Sequence, residues 1–239
     1  MQPNPNILLE IAGITTPLIG FYDTPDTKPF EPFAKPKECI FSCYENWLKD
    51  ESIFLSEENV GSIVCPGAGY WSCGVESMPR KEVAKYLGEI EGLKSSSGLM
   101  IQWLENQPVY KKKHPYVVIG PLREDQYEFL KTITFYVNPD QLSLLMTGAE
   151  YHNASVDSNL VNAPYCSGCR QLSLISDELD APKAIIGATD IAMRQYLPPD
   201  TLALTVTKTM FQQLCQLDKN SFLYKNFWKR LRESREKTL

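Results

Sequence analysis

Seven cysteines are spread over 239 residues, and the stretches "CPGAGYWSC" and "CSGCR" pair them with glycine. Cys65 opens the first, with Gly67 and Gly69 before Cys73; Cys166 and Cys169 flank Gly168 in the second, and Arg170 follows. A strand, a glycine turn and a helix start leave backbone N–H groups pointing outward. Such a nest favours an anion and lowers the pKa of a thiol beside it. Glycine suits the turn because a side chain would block close approach or a positive φ. Cys65, Gly67, Cys166, Gly168 and Arg170 are therefore expected to frame a cleft that binds a small organic anion or a phosphate-bearing ligand. Arg194, about one turn into the stretch after Gly187, is a further candidate for a ligand carboxylate.

A second chemistry uses the same sulfurs. Cys166 and Cys169 have the two-residue spacing of thiolate ligands and redox dithiols. With Cys65, and with Cys73 if the fold allows it, they form a candidate set for zinc or an iron–sulfur cluster. No second Cys-x-x-Cys completes a zinc ribbon. Cys39 and Cys43 are four apart on one helical face and read as core. Walker A, Gly-x-Gly-x-x-Gly, Gly-x-Ser-x-Gly and His-Glu-x-x-His patterns are missing. The two histidines, His114 in a charged approach and His152 in a polar stretch, read as loop residues.

These turns must be positioned by strands and helices. "TPLIGFYDTPD" (residues 16–26) predicts a strand ending in a turn, and "YVVI" (116–119) another. Two amphipathic patterns near 76–112 predict a helical arm, with serines 95–97 offering an N-cap. Segments starting at Val117 and Ala184 follow one plan of strand, helix-like stretch, strand and helix. Tyr127 with Tyr196, and Val137 with Val206, share one 69-residue offset. The expectation is one α/β domain over 1–239 with a mixed sheet, an internal duplication of strand-helix-strand-helix units and the inserted arm. Open α/β sheets bind ligands in crevices at strand ends, where such turns lie. A C-terminal amphipathic helix near 221–237 should dock through Phe222, Leu223, Phe227, Trp228 and Leu231.

Bulk composition is that of a globular chain: 43% hydrophobic, 22% charged, formal net charge -5. The acidic balance argues against a nucleic-acid partner. No apolar run reaches the roughly 18 residues a membrane span needs, and no signal peptide is evident. The expected location is cytoplasmic, and the expected partner is a small molecule. Whether the chain is an enzyme and how it assembles stay open.

The blocks "TPLIGFYDTP", "SEENVGSIVCPGAGYWSCGVE", "ITFYVNPDQLSLLMTGAEY", "APYCSGCRQLSLI" and "AIIGATDIAMR", in this order, resemble the family called domain of unknown function 169. That family implies no established activity; its occurrence in archaea and anaerobic bacteria suits oxygen-sensitive thiol or cluster chemistry. Its cysteine-glycine block falls on Cys65 and Gly67. Cys73 lies where relatives carry an apolar or small residue, which weakens a four-cysteine cluster. A structural or interaction protein, with contacts through the tail helix, is the remaining alternative.

Overall fold

Alternation of side chains along the central strands buries both faces of one sheet. In Leu130–Val137, the residues Ile133, Phe135 and Val137 join one core, while Tyr136 joins the other. The computed structural model describes residues 4–107, 109–161, 168–174 and 181–237. Its strands are β1 (Ile19–Thr24), β2 (Ile53–Leu55), β3 (Tyr116–Pro121), β4 (Leu130–Val137), β5 (Leu160–Val161), β6 (Ala184–Gly187) and β7 (Leu202–Thr207). They form one seven-stranded sheet in the order β2-β3-β1-β4-β7-β6-β5. Among the strands of the described residues, β5 and β6 alone pair in parallel, which makes the sheet mixed, as the sequence implied. The other five pairings are antiparallel.

Helices α1 (Asn6–Ala12), α5 (Pro139–Glu150) and α7 (Lys208–Cys215) pack against one face. Leu8, Leu142, Leu145, Phe211 and Leu214 meet Phe135, Leu204 and Val206 there. Both α5 and α7 begin directly at a strand end, and local chemistry explains this. Asn138 Oδ1 accepts the Gln141 N–H at 2.9 Å while Gln141 Oε1 accepts the Asn138 N–H at 3.0 Å, with Pro139 as the first helical residue. This reciprocal cap contributes about 1 kcal/mol. Thr207, the last residue of β7, caps α7 through the Met210 N–H.

The opposite face is covered by less regular chain. A 3-10 turn (Ile40–Cys43) runs into the short helix α2 (Tyr44–Trp47), and Trp47 stacks on Tyr136 of β4 at 6.2 Å between centroids. The predicted helix is thus broken early, and its cysteines part company: Cys43 is buried in the core, whereas Cys39 is half-buried at its start. Helix α6 (Gly168–Leu174) is fastened to this face by Thr132 Oγ1 donating to Leu172 O at 2.8 Å and by the Gln171 amide donating to Ile186 O. Gly187 leaves room for this contact, since a Cβ there would displace the Gln171 amide.

Outside this layer, α3 (Arg80–Lys85), a π-helical turn (Tyr86–Ile90) and α4 (Ser97–Glu105) share a small core of their own. Tyr70, Trp71, Val83, Leu87, Met100 and Leu104 form it. Ser96 caps α4, accepting the Leu99 N–H at 3.1 Å.

The predicted duplication is not confirmed. Phe135 and Leu204, 69 residues apart, do face one another across β4 and β7. Beyond them the plans diverge: β1 lies between β3 and β4, while β6 and β7 pair directly. The helix-like stretches carrying Tyr127 and Tyr196 are single 3-10 turns. The tail helix α8 (Asn226–Glu236) lies on α1, where Trp228 Nε1 and Arg232 Nη1 donate to Ile11 O at 2.7 and 3.1 Å. Phe227, expected on the docked face, is 83% exposed. Among the described residues no helix is long and apolar enough to cross a membrane.

Candidate functional site

The Cys65 turn is placed by an extended partner rather than by a sheet strand. Val64 and Cys65 donate their N–H groups to Lys37 O and Glu38 O at 3.1 and 2.8 Å. Pro66 then leads into a π-helical turn (Ala68–Cys73) that ends on Gly74 in the left-handed conformation, φ 67°. A Cβ at Gly74 would lie 2.5 Å from Tyr110 O, so glycine is required there on both counts.

Helix α6 reaches the same place from the sheet side. Ser72 Oγ donates to Cys169 O at 3.2 Å, and a Cβ at Gly67 would lie 3.0 Å from Cys169 Sγ. Gly67 therefore lets the Cys65 turn close onto α6, and two sequence-predicted elements a hundred residues apart meet.

A third wall comes from the segment after β6. Ala188 takes the left-handed conformation, φ 60°, which is strained for a residue with a side chain. It swings the chain away from the sheet, so that Asp190, Ala192, Met193, Gln195 and Tyr196 face the Cys65 turn. Together these walls enclose a cavity of about 320 Å³. Cys39, Cys65 and Cys169 supply sulfur; Glu38, Glu91 and Asp190 supply carboxylates; Trp71, Tyr86 and Tyr196 supply aromatic surface.

The electrostatics are those of an acidic, partly dehydrated site. No Lys, Arg or His is among the described residues that line it. Burial, then the neighbouring Asp190, holds the Glu91 carboxyl above its ordinary pKa, against the Tyr86 hydrogen bond that lowers it. Burial also raises Asp190, although Oδ1 accepts the Ala192 N–H at 3.0 Å. The Cys65 thiol is pushed up to about 11 by burial, opposed by N–H groups of Gly67 and Ala68 that donate to the sulfur. Cys39 is pushed up to about 12 by burial and by the adjacent Cys65. Tyr196 is raised by burial and by Glu38, whose Oε2 accepts its hydroxyl at 2.7 Å. Thus the nest foreseen at Cys65 exists, but its N–H groups are turned to the cysteine's own sulfur.

Two expected arginines lie elsewhere. Arg194 gives its guanidinium to backbone: Nη1 to Ala188 O at 3.4 Å and to Thr201 O, Nη2 to Pro198 O and Pro199 O at 3.1 and 2.7 Å. It clamps the loop that carries the third wall, in place of the ligand contact anticipated for it. Arg170 is buried with its guanidinium 5.3 Å from the Trp103 ring centre, and it does not line the cavity. Gly168 opens α6, and Cys166 lies outside the described residues. Among the described residues no group of three or more His, Cys, Asp or Glu side chains is arranged to hold a metal ion.

Cys39, Glu38, Glu91 and Asp190 went unnoticed in the sequence as lining residues. Cys39 had the helical spacing of a core residue, and the three carboxylates come from three separate segments with no shared motif.

The architecture is an α/β fold with a mixed seven-stranded sheet, carrying a thiol- and carboxylate-lined cavity on its irregular face. Residues 8–216 match the family described as uncharacterised ArCR, domain of unknown function 169, and the chain belongs to that family. No curated protein and no solved structure matches it.

Proposed function

We propose that this protein binds a small organic cation, an amine or ammonium compound with an apolar body, in the cavity between the Cys65 turn and Asp190–Tyr196. The observation that carries this reading is the sign of the lining: Glu38, Glu91 and Asp190 without a basic side chain among the described lining residues. The ligand class therefore reverses the organic anion expected from the glycine turns. An anion here would meet three carboxylates, and the N–H groups meant for it already serve Cys65.

Aromatic faces beside carboxylates suit an ammonium group, which gains from the ring quadrupole as well as from charge. Trp71, Tyr86 and Tyr196 supply the faces. Tyrosine hydroxyls hold Glu38 and Glu91 in place before any ligand arrives, so little ordering remains to be done on binding. Val64, Leu87 and Met193 in the lining are apolar side chains that would accept a ligand's hydrocarbon part. The volume fits a small molecule.

The test is thermal stabilisation and calorimetry of the reduced full chain with benzylamine, choline and spermidine against citrate and inorganic phosphate. Amines should raise the melting temperature, and Glu91→Gln with Asp190→Asn should weaken amine affinity at least tenfold. Stabilisation by citrate or phosphate alone, or by none of the five, would overturn the assignment.

A further inference from the structure

Cys39 and Cys65 arrive at the cavity from separate segments, yet the backbone keeps those segments in register. Cys65 N–H donates to Glu38 O at 2.8 Å, and Glu38 O belongs to the peptide unit that carries the Cys39 nitrogen. Standard bond lengths through one hydrogen bond keep the two Cα atoms within about 7 Å. A disulfide needs roughly 4.4–6.8 Å between Cα atoms and side chains pointing the same way. Both side chains line one cavity, and Cys65 is near enough to Cys39 to disfavour its thiolate.

We propose that Cys39 and Cys65 are a dithiol–disulfide pair, oxidised by a small-molecule disulfide and regulating ligand entry to the cavity. The regulatory part rests on the amine-binding reading above; the chemistry of the pair does not. In the first step the Cys65 thiolate attacks one sulfur of the oxidant, forming a mixed disulfide and releasing a thiolate that takes up a proton. The Cys39 thiolate then attacks the Cys65 sulfur and displaces the second small thiol. One disulfide of the oxidant is reduced to two thiols, and the protein gives up two electrons and two protons.

The surroundings shape the rates. N–H groups of Gly67 and Ala68 donate to the Cys65 sulfur and that of Phe41 to Cys39, so each thiolate has a backbone partner when it forms. Glu91 and Asp190 face the pair and oppose thiolate formation, as would the Tyr86 and Tyr196 hydroxyls once ionised; Glu38 lines the same cavity with its carboxylate on the Tyr196 hydroxyl. Exchange should therefore be slow at neutral pH and gain nearly tenfold per pH unit while thiolate remains the minor form. The second step is intramolecular and needs no further encounter. Once joined, the Glu38–Cys39 and Val64–Cys65 walls are tied together and both thiols leave the lining.

Reduced full chain is incubated with oxidised glutathione at pH 7, 8 and 9, quenched with N-ethylmaleimide and digested without reductant for mass spectrometry. The expected product is a peptide pair linked through Cys39 and Cys65, forming faster at each higher pH. Cys39→Ser should instead accumulate a glutathione adduct on Cys65, while Cys43→Ser should still form the link. Adducts without the link, or Cys65 joined to Cys169, would overturn the pairing. Benzylamine affinity is measured before and after oxidation, with at least a fivefold loss expected. A link that leaves affinity unchanged refutes the regulation; a link in protein that never bound amines refutes the ligand reading and leaves the dithiol standing.

Discussion

Two acidic regions lie on the same side of this molecule and are built on opposite principles. Asp23, at the end of β1, is fully buried. Oδ2 accepts the Tyr110 hydroxyl at 2.6 Å and the Lys113 N–H at 2.7 Å; Oδ1 accepts the His114 N–H at 2.8 Å and lies 3.1 Å from His114 Nδ1. One carboxylate thus fastens residues 110–114, which connect the outer helical layer to β3. The cavity holds more acidic groups with fewer partners: Glu91 and Asp190 repel each other across it, and burial raises both. A carboxylate held by three donors and a histidine ring nitrogen anchors a fold, whereas carboxylates kept partly bare around a space are costly unless something occupies it. The contrast separates a structural acid from a recognition site, although neither carries a motif.

Removal of Asp23 is the largest expected effect. Asp23→Ala removes the buried acceptor of the Tyr110 hydroxyl and of two backbone donors, and should cost about 3–5 kcal/mol in urea unfolding. A loss under 1 kcal/mol would erase the distinction drawn between the regions. Arg194→Met comes next, because it leaves four carbonyls of the 188–201 loop without their shared donor. We expect about 1.5–3 kcal/mol of destabilisation, together with weaker amine binding as the third wall loosens.

The smallest effect has the opposite sign. Glu91→Gln should stabilise the empty protein at pH 7. The Glu91 pKa is raised on folding, so its contribution to stability is complete below the unfolded value and is lost as pH rises through the folded one. Burial and the facing Asp190 hold the charged form at a disadvantage, the Tyr86 hydroxyl opposes them by donating to Glu91, and the facing Cys65 and Cys39 thiols are neutral in this range. Thermal melts from pH 4 to 8 should show the Glu91→Gln advantage growing with pH, about 2–4 °C for each kcal/mol. A mutant less stable than wild type at pH 7 would place Glu91 with Asp23 among the anchors.

Local signals account for much of what could be read in advance. The serines at 95–97 announced the cap of α4. Short apolar runs ended by turn residues located β1 and β3. The tail was expected to dock, and Trp228 does so, but Phe227 points to solvent because the α1 contact uses only one stripe of the helix. Cys39 packs against the core as its spacing implied, but its place in the cavity lining was missed because a 3-10 turn replaces the helix there.

The sequence by itself determined the α/β class, several helix starts and the glycines of the Cys65 turn, because each depends on neighbours a few residues away. Tertiary structure alone decided that Gly67 would rest against Cys169, that Arg194 would hold carbonyls, and that Glu38, Glu91 and Asp190 would converge. Of these, the Arg194 clamp reaches only four to seven residues along the chain and depends on how the 188–201 loop is folded. The first and last follow from the register of distant chain segments, through hydrogen bonds such as Cys65 to Glu38, 27 residues apart. The charge of a cavity is a sum over such segments, and no local pattern contains it.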